Sequence, residues 1–240
     1  DRLPDPVPEF IDTYRSWYED ATCLRIENPV ELFHSAHASN GGIVIGTDGS
    51  CALPGLFAAG ECTGGMHGAD RIGGLASANA LVFGWKTGHY AAIHALGEVN
   101  VPVEVDIELA KASELEAVGS ELGSVLDAHA LVIRTEEGLA QAERAIADLA
   151  SRLERTEPGS QNETVMTLLQ RQRVLSARAI VSAMRARTES RGAHFRADHP
   201  VEDPAQARPN IVTLGACGSI RVEPAEHPEG SRMDNRSINP

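Results

Sequence analysis

Apolar residues recur at helical spacing at Phe10, Ile11, Tyr14 and Trp17, which predicts a short amphipathic helix over Pro8–Asp20. Two β-rich runs follow, Pro29–Phe33 and Gly42–Gly46, and the second ends in the turn signal Thr47-Asp48-Gly49-Ser50. Leu56–Ala59 is a short, wholly apolar run of the kind expected for a strand buried on both faces. Glycines 64, 65, 68, 73 and 74 then make a permissive loop before helical sequence at Ala76–Leu96. Val99-Asn100-Val101-Pro102-Val103 reads as a boundary, because composition beyond it shifts to Ala, Glu, Leu and Arg. Helical periodicity runs through Ile107–Ala130, Glu136–Arg155 and Thr164–Thr188, with Pro158–Asn162 breaking the last two apart. Three helices of that length predict an antiparallel bundle. After Pro200 the pattern predicts an irregular tail with one strand at Asn210–Leu214. The expected organisation is α/β over residues 1–98, α-helical over 99–200, and irregular over 201–240.

Composition narrows what such a chain does. A net charge of −13 over 240 residues, with no clustered Lys and Arg, argues against a nucleic-acid surface. No apolar run approaches the roughly 18 residues that a membrane-spanning helix needs. Four cysteines, Cys23, Cys51, Cys62 and Cys217, form no C-x-x-C pair, so metal ligation by this chain alone is not expected and a reducing cytosol fits best. The first residues carry neither Met nor a signal-peptide pattern and read as the middle of a longer protein. No G-x-G-x-x-G follows a strand, so a dinucleotide's phosphates are expected to rest on another polypeptide.

Candidate chemistry gathers in the glycine-rich stretch. Glu61 follows an apolar run, where a carboxylate can accept hydrogen bonds from a ligand's hydroxyls; the plain alternative is an exposed loop acid or a helix cap. Arg71 lies among glycines just before a helix. Its planar fork suits a carboxylate, and the helix start near Ala76 offers free N–H groups to an anion. The alternative is a structural arginine paired with Asp70 or another acid. His37 precedes the abrupt turn Ser39–Gly42 and competes with His34 for an anion-binding role. Glu189–His194 reads as the stop of the third long helix, with Gly192 as its C-cap.

Taken together, these segments resemble the succinate dehydrogenase/fumarate reductase flavoprotein family, which includes L-aspartate oxidase. The family's H-x-x-x-G-G-I is matched by His37–Ile43, G-L-F-A-x-G-E by Gly55–Glu61, and H-G-A-N-R-L-G-G by His67–Gly74, with Asp70 in place of Asn. Leu75–Gly84 stands for N-S-L-A-E-A-L-V-F-G, with Leu75 and Asn79 replacing the Asn and Glu, and Arg187–Arg196 looks like R-x-E-S-R-G-x-H-x-R. The resemblance implies the C-terminal part of a Rossmann-like FAD-binding domain followed by the helical bundle. It implies FAD held by Gly60, Glu61 (on the ribityl chain), Arg71 and the Leu75-Ala76-Ser77 backbone, and a small carboxylate substrate bound by His37 and Arg71. The implied reaction is hydride transfer between flavin N5 and a carbon beside a carboxylate. The alternatives are amine oxidation of the L-aspartate type or a non-catalytic assembly role. Implied partners are an N-terminal FAD-binding and capping polypeptide and an iron–sulfur electron-transfer subunit. The expected location is cytoplasmic, peripheral to a membrane through a partner.

Overall fold

The helical periodicity of the second half condenses three helices onto one apolar core. The computed structural model describes residues 9–23, 25, 36–97, 112–155 and 164–225. They fall into two units, Asp1–Ser35 and Ala36–Pro240. In the first, helix α1 (Glu9–Thr22) covers the predicted span from Glu9 onward, Pro8 lying outside the described residues, with Tyr14 packed on Trp17 and Tyr18 at ring distances of 5.6 and 6.4 Å. The predicted strand Pro29–Phe33 and His34 lie outside the described residues, as do the proposed boundary Val99–Val103 and the breaker Pro158–Asn162.

In the second unit, α2 (Leu75–Ala95) is followed by α3 (Ala112–His129), α4 (Glu136–Arg155) and α5 (Thr164–Ala186). The start predicted at Ile107 lies outside the described residues. Leu139, Ala142, Ile146, Leu149 and Leu153 make a 3-4 spaced seam along α4. That seam packs on Leu115, Val118 and Leu122 of α3 and on Val174, Ala177 and Val181 of α5. Gly119 lets α3 close on α5, since a Cβ there would lie 2.7 Å from Gln170 Nε2. Ion pairs rim the core: Arg152 with Glu114 at 2.9 Å and with Glu121, and Arg185 with Glu136 and Glu143 at 2.7 and 2.6 Å.

Strand structure is sparser than the pattern predicts in the first half and richer in the tail. Gly42–Gly46 makes only a parallel bridge, Ile43 to Thr63, and Leu56–Ala59 only an antiparallel one, Phe57 to Ser50. Leu56 is 46% exposed, contrary to a strand covered on both faces. Each run finds a partner along a single edge among the described residues, and one bridge does not propagate a ladder. The tail, expected to be irregular past one strand, forms a hairpin of β3 (Asn210–Leu214) and β4 (Ile220–Pro224). Its turn is seated on α5 by Arg178 Nη2, which donates to the Gly218 carbonyl at 2.8 Å. A short parallel pair, β1 (Ile133–Arg134) with β2 (Phe195–Arg196), ties the α3–α4 connection to the segment after α5.

Helix α2 inverts the usual pattern. Its buried residues are polar, Asn79 and Thr87, while Leu81 and Trp85 are 74% and 77% exposed and Val82 and Ile93 are also open. Among the described residues, no helix is long and apolar enough to cross a membrane.

The α4 seam makes a direct prediction. Ile146 is fully buried, so Ile146→Ala is expected to lower the unfolding free energy by about 2–5 kcal/mol in urea titrations. A loss well under 1 kcal/mol would show that the three helices do not share a close-packed core.

Candidate active site

The loops ahead of α2 are held by backbone contacts that glycine permits. Asp48 Oδ1 accepts from the Ser50 amide (3.0 Å) and hydroxyl (2.7 Å), which closes the predicted turn and holds the Asp48 carboxyl below its ordinary range. Gly49 presses that turn onto α2, where any Cβ would overlap Thr87. Gly60, at φ +82°, opens a tight turn that Thr63 closes by donating from Oγ1 to the Gly60 carbonyl at 2.6 Å. Gly42 lies flat on the Cys62–Thr63 backbone, with Ile43 N–H donating to the Cys62 carbonyl at 2.8 Å. These contacts bring the His37 loop beside Glu61, and Ser39 N–H donates to Glu61 Oε1 at 3.1 Å. Glu61 is exposed, and its second oxygen has no partner among the described residues.

Next comes an open glycine surface. Gly65, Gly68 and Gly74 have φ of +92°, +61° and +83°, and a Cβ at any of them would meet nothing within 4 Å. Gly74 caps α2 without a side chain. Leu75 N–H turns back to the Ile72 carbonyl and Ser77 N–H to that of Gly74, both at 3.2 Å. The Ala76 N–H is left without a partner among the described residues, directed as helix N-terminal amides are toward an incoming acceptor. Arg71 is half-buried, and its Nε is shielded from water with no hydrogen-bond partner. Among the described residues it makes no ion pair with Asp70 or with any other acid. Both amide atoms of Asn79, one turn into α2, are also buried and unpartnered. An acceptor-bearing, hydroxyl-rich anion suits this set: a free carboxylate oxygen, a free helix amide, an unpaired guanidinium N–H and a surface without side chains.

The segment after α5 corrects the sequence reading. The helix ends at Ala186, and Gly192 is not its C-cap. The buried Arg196 ends it, donating from Nη1 to the carbonyls of Met184, Arg185 and Arg187 at 3.2–3.3 Å while gripping Asp198 with both remaining nitrogens at 2.8 Å. That salt bridge holds the Asp198 carboxyl well below its ordinary value. Asp198 in turn accepts the Glu136 N–H at the start of α4, 2.7 Å away. Glu189 has no exposed surface and is clasped by Arg191 at 2.9 Å through two nitrogens, by Arg187 at 2.8 Å and by the Asp203 N–H at 2.7 Å. Its carboxyl is lowered to about 2, with the Arg191 bonds the largest cause. His194 is pulled down to about 4, first by burial and then by Arg134, Arg187 and Arg196. A neutral ring fits its neighbours: Nδ1 faces the Arg134 guanidinium at 3.4 Å and Nε2–H donates to the Arg187 carbonyl at 3.3 Å. This network reaches the glycine loop, because Ala193 N–H donates to the Ala69 carbonyl at 3.2 Å and Asn40 Nδ2 donates to the same oxygen at 3.4 Å.

The predicted site residues are thus distributed over converging loops: His37 exposed beside the Glu61 turn, Gly60 buried within it, Arg71 half-buried, and Leu75, Ala76 and Ser77 at the α2 start. Sequence reasoning missed Asn40, Arg134 and the junction of residues 192–193 with Ala69, because contacts between distant segments leave no local periodicity. Family models match in two places: a "Fumarate reductase flavoprotein C-term" model over residues 119–218 and an "FAD binding domain" model over residues 3–76. The L-aspartate oxidase of Rhodospirillum rubrum is 31% identical over 205 residues, which cover 84% of this chain and 69% of that protein. The chain belongs to the fumarate reductase/succinate dehydrogenase flavoprotein family. Its cofactor is FAD. A fumarate reductase (CoM/CoB) polypeptide of Methanothermobacter marburgensis is 31% identical over 86% of this chain, which spans only 40% of that relative's length. Among solved structures, E. coli quinol fumarate reductase FrdA superposes with a TM-score of 0.74 at 22% identity, covering 94% of this chain and 41% of the other. Mycobacterium smegmatis Sdh1 in complex with UQ1 gives 0.74 at 25% identity, covering 95% and 42%.

The charged network predicts a pH dependence. Both His194 and Glu189 bind protons more weakly in the fold than in the unfolded chain. Each therefore stabilises the fold above its ordinary pKa and loses that contribution as pH falls: His194 from 6.5 to about 4, Glu189 from 4.5 to about 2. Thermal melts should fall progressively over this range. His194→Gln, which cannot titrate, should flatten the upper part by of order 1–3 kcal/mol. An unchanged slope above pH 4 would show that His194 is not held neutral.

Proposed function

We propose that the site binds FAD and a small carboxylate substrate side by side, for hydride transfer between flavin N5 and a carbon adjacent to the carboxylate. The observation that carries this reading is Arg71: half-buried, with a shielded Nε and no acid to pair with among the described residues. A shielded guanidinium N–H left without an acceptor is costly unless an anion completes it, and the arginine fork matches a carboxylate through two parallel hydrogen bonds. His37 approaches from the neighbouring loop and supplies a second polar group for the substrate. Glu61, tethered by Ser39 through one oxygen, offers the other to a ribityl hydroxyl. The Leu75-Ala76-Ser77 backbone presents the free Ala76 amide where negative charge develops on a reduced flavin ring. Bound FAD supplies hydride acceptance and donation at N5; the chain's residues bind, orient and neutralise.

The chain spans 40% of its fumarate reductase relative, and the remaining parts of the site are assigned to an N-terminal FAD-binding and capping part, of the same polypeptide or of a partner. The exposed α2 face of Leu81, Val82 and Trp85 is an apolar surface available for it. An iron–sulfur electron-transfer subunit is the proposed redox partner. Amine oxidation of the L-aspartate type is a second reading, favoured by the R. rubrum relative of which this chain covers 69%.

Two substitutions separate cofactor from substrate roles in the FAD-loaded protein. Glu61→Ala removes a charge-assisted hydrogen bond and should weaken flavin retention by about 1.5–3 kcal/mol while turnover per bound flavin changes little. Unchanged flavin content would take Glu61 out of the cofactor site. Arg71→Lys keeps the charge but loses the fork. It should preserve FAD content and melting temperature yet cost about a hundredfold in kcat/KM for C4 dicarboxylates, roughly 2.7 kcal/mol. Normal rates in both Arg71→Lys and His37→Ala would sink the carboxylate clamp and favour a non-catalytic assembly role.

A further inference from the structure

We infer that the Gly192–Ala193 turn is a positioning element for Arg71: it fixes the Ala69 carbonyl and, through it, the guanidinium two residues on. The inference rests on reading Arg71 as the carboxylate-binding arginine. Among the described residues, the hydrogen bonds that tie residues 65–71 to the rest of the chain end on the Ala69 carbonyl oxygen, one from Ala193 N–H at 3.2 Å and one from Asn40 Nδ2 at 3.4 Å. Around that anchor Gly65 and Gly68 have open space where a Cβ would lie, and no other hydrogen bond among the described residues ties this stretch to distant segments.

The opposing turn is rigid. Arg191 and His194 exchange backbone hydrogen bonds at 2.9 and 3.0 Å, and Arg134 Nη1 holds the Ala193 carbonyl at 3.4 Å. Arg191 is clamped by the buried Glu189. Gly192, at φ +55°, lets this rigid turn lie directly on Ala69: a Cβ there would overlap the Ala69 carbonyl oxygen and sit 2.6 Å from its carbon. With one side fixed by buried ion pairs, the glycine loop is the side that yields. A displacement near 1 Å is enough to spoil bidentate geometry, at a cost of about a hundredfold.

The test is binding of malonate, a dicarboxylate with no C–C bond to desaturate, to the FAD-loaded flavoprotein that carries this chain. Affinity is read from the flavin difference spectrum and by calorimetry, alongside flavin content. Gly192→Ala is expected to weaken malonate by at least about tenfold with flavin content retained. Gly192→Asn tolerates the left-handed conformation but carries the same Cβ, so it should be equally damaging. Gly218→Ala meets the same conformational strain, at φ +73° with nothing within 4 Å, and should bind as wild type. If residue 192 acts through Arg71, adding Gly192→Ala to Arg71→Gln costs no further affinity. Wild-type affinity in Gly192→Asn, or a full additional loss in the double variant, would overturn the inference while leaving Arg71 in place. Wild-type affinity in Arg71→Gln alone would instead remove the clamp reading on which it rests.

Discussion

A carboxylate with no contact with water must be neutralised where it sits, and Glu189 is that carboxylate. Its two oxygens collect Arg191, Arg187 and the Asp203 amide, with Arg191 approaching in the bidentate geometry that makes such bonds strongest. Removing one partner from a buried set leaves the other charge uncompensated, at several kcal/mol, so residues 187–203 have little freedom in how they fold. Arg187 extends the constraint by donating to the Gln206 and Arg208 carbonyls ahead of the hairpin. Arg196 and Asp198 carry it to the end of α5 and the start of α4. The charged segment therefore joins the ends of the helices to the glycine-rich loop.

That arrangement assigns different tasks to different parts of the chain. The α3–α5 core supplies an immobile base through ordinary apolar packing. The Glu189 network transfers its rigidity to the Ala69 carbonyl. The loops facing the site keep their polar groups free: a Glu61 oxygen, the Ala76 amide and the Arg71 Nε. The carboxylates of Glu189 and Asp198 are fully partnered, whereas the Arg71 Nε is not. This division is what the proposed carboxylate clamp requires of the loop that carries Arg71.

Legibility in the sequence follows the range of the interactions involved. The seam from Leu139 to Leu153 is local and periodic, and the sequence places α4 at Glu136–Arg155, where it is found. The turn at Asp48–Ser50 is equally readable, because its bonds close within two residues. Leu56–Ala59 misleads, since an apolar run neither guarantees its own burial, Leu56 being 46% exposed, nor supplies the neighbouring strands that a ladder needs. Gly192 reads as a helix cap because glycine after a basic helix end commonly is one. Its use lies across the chain at Ala69, and Arg196, ten residues beyond Ala186, ends the helix instead. The second strand, Ile220–Pro224, escapes a sequence reading because its short alternation is legible only opposite Asn210–Leu214. Candidate residues such as Glu61 and Arg71 stand out through their motif, but that Arg71 lacks an acid partner among the described residues is a fact of three dimensions.

The most direct measurement is an experimental structure of the FAD-loaded flavoprotein with a dicarboxylate bound. The account predicts one carboxylate seated on the Arg71 guanidinium through two nitrogens, the Ala193 N–H still on the Ala69 carbonyl, and Glu61 on the ribityl chain. A carboxylate bound elsewhere, with Arg71 turned to an acidic side chain, would contradict it.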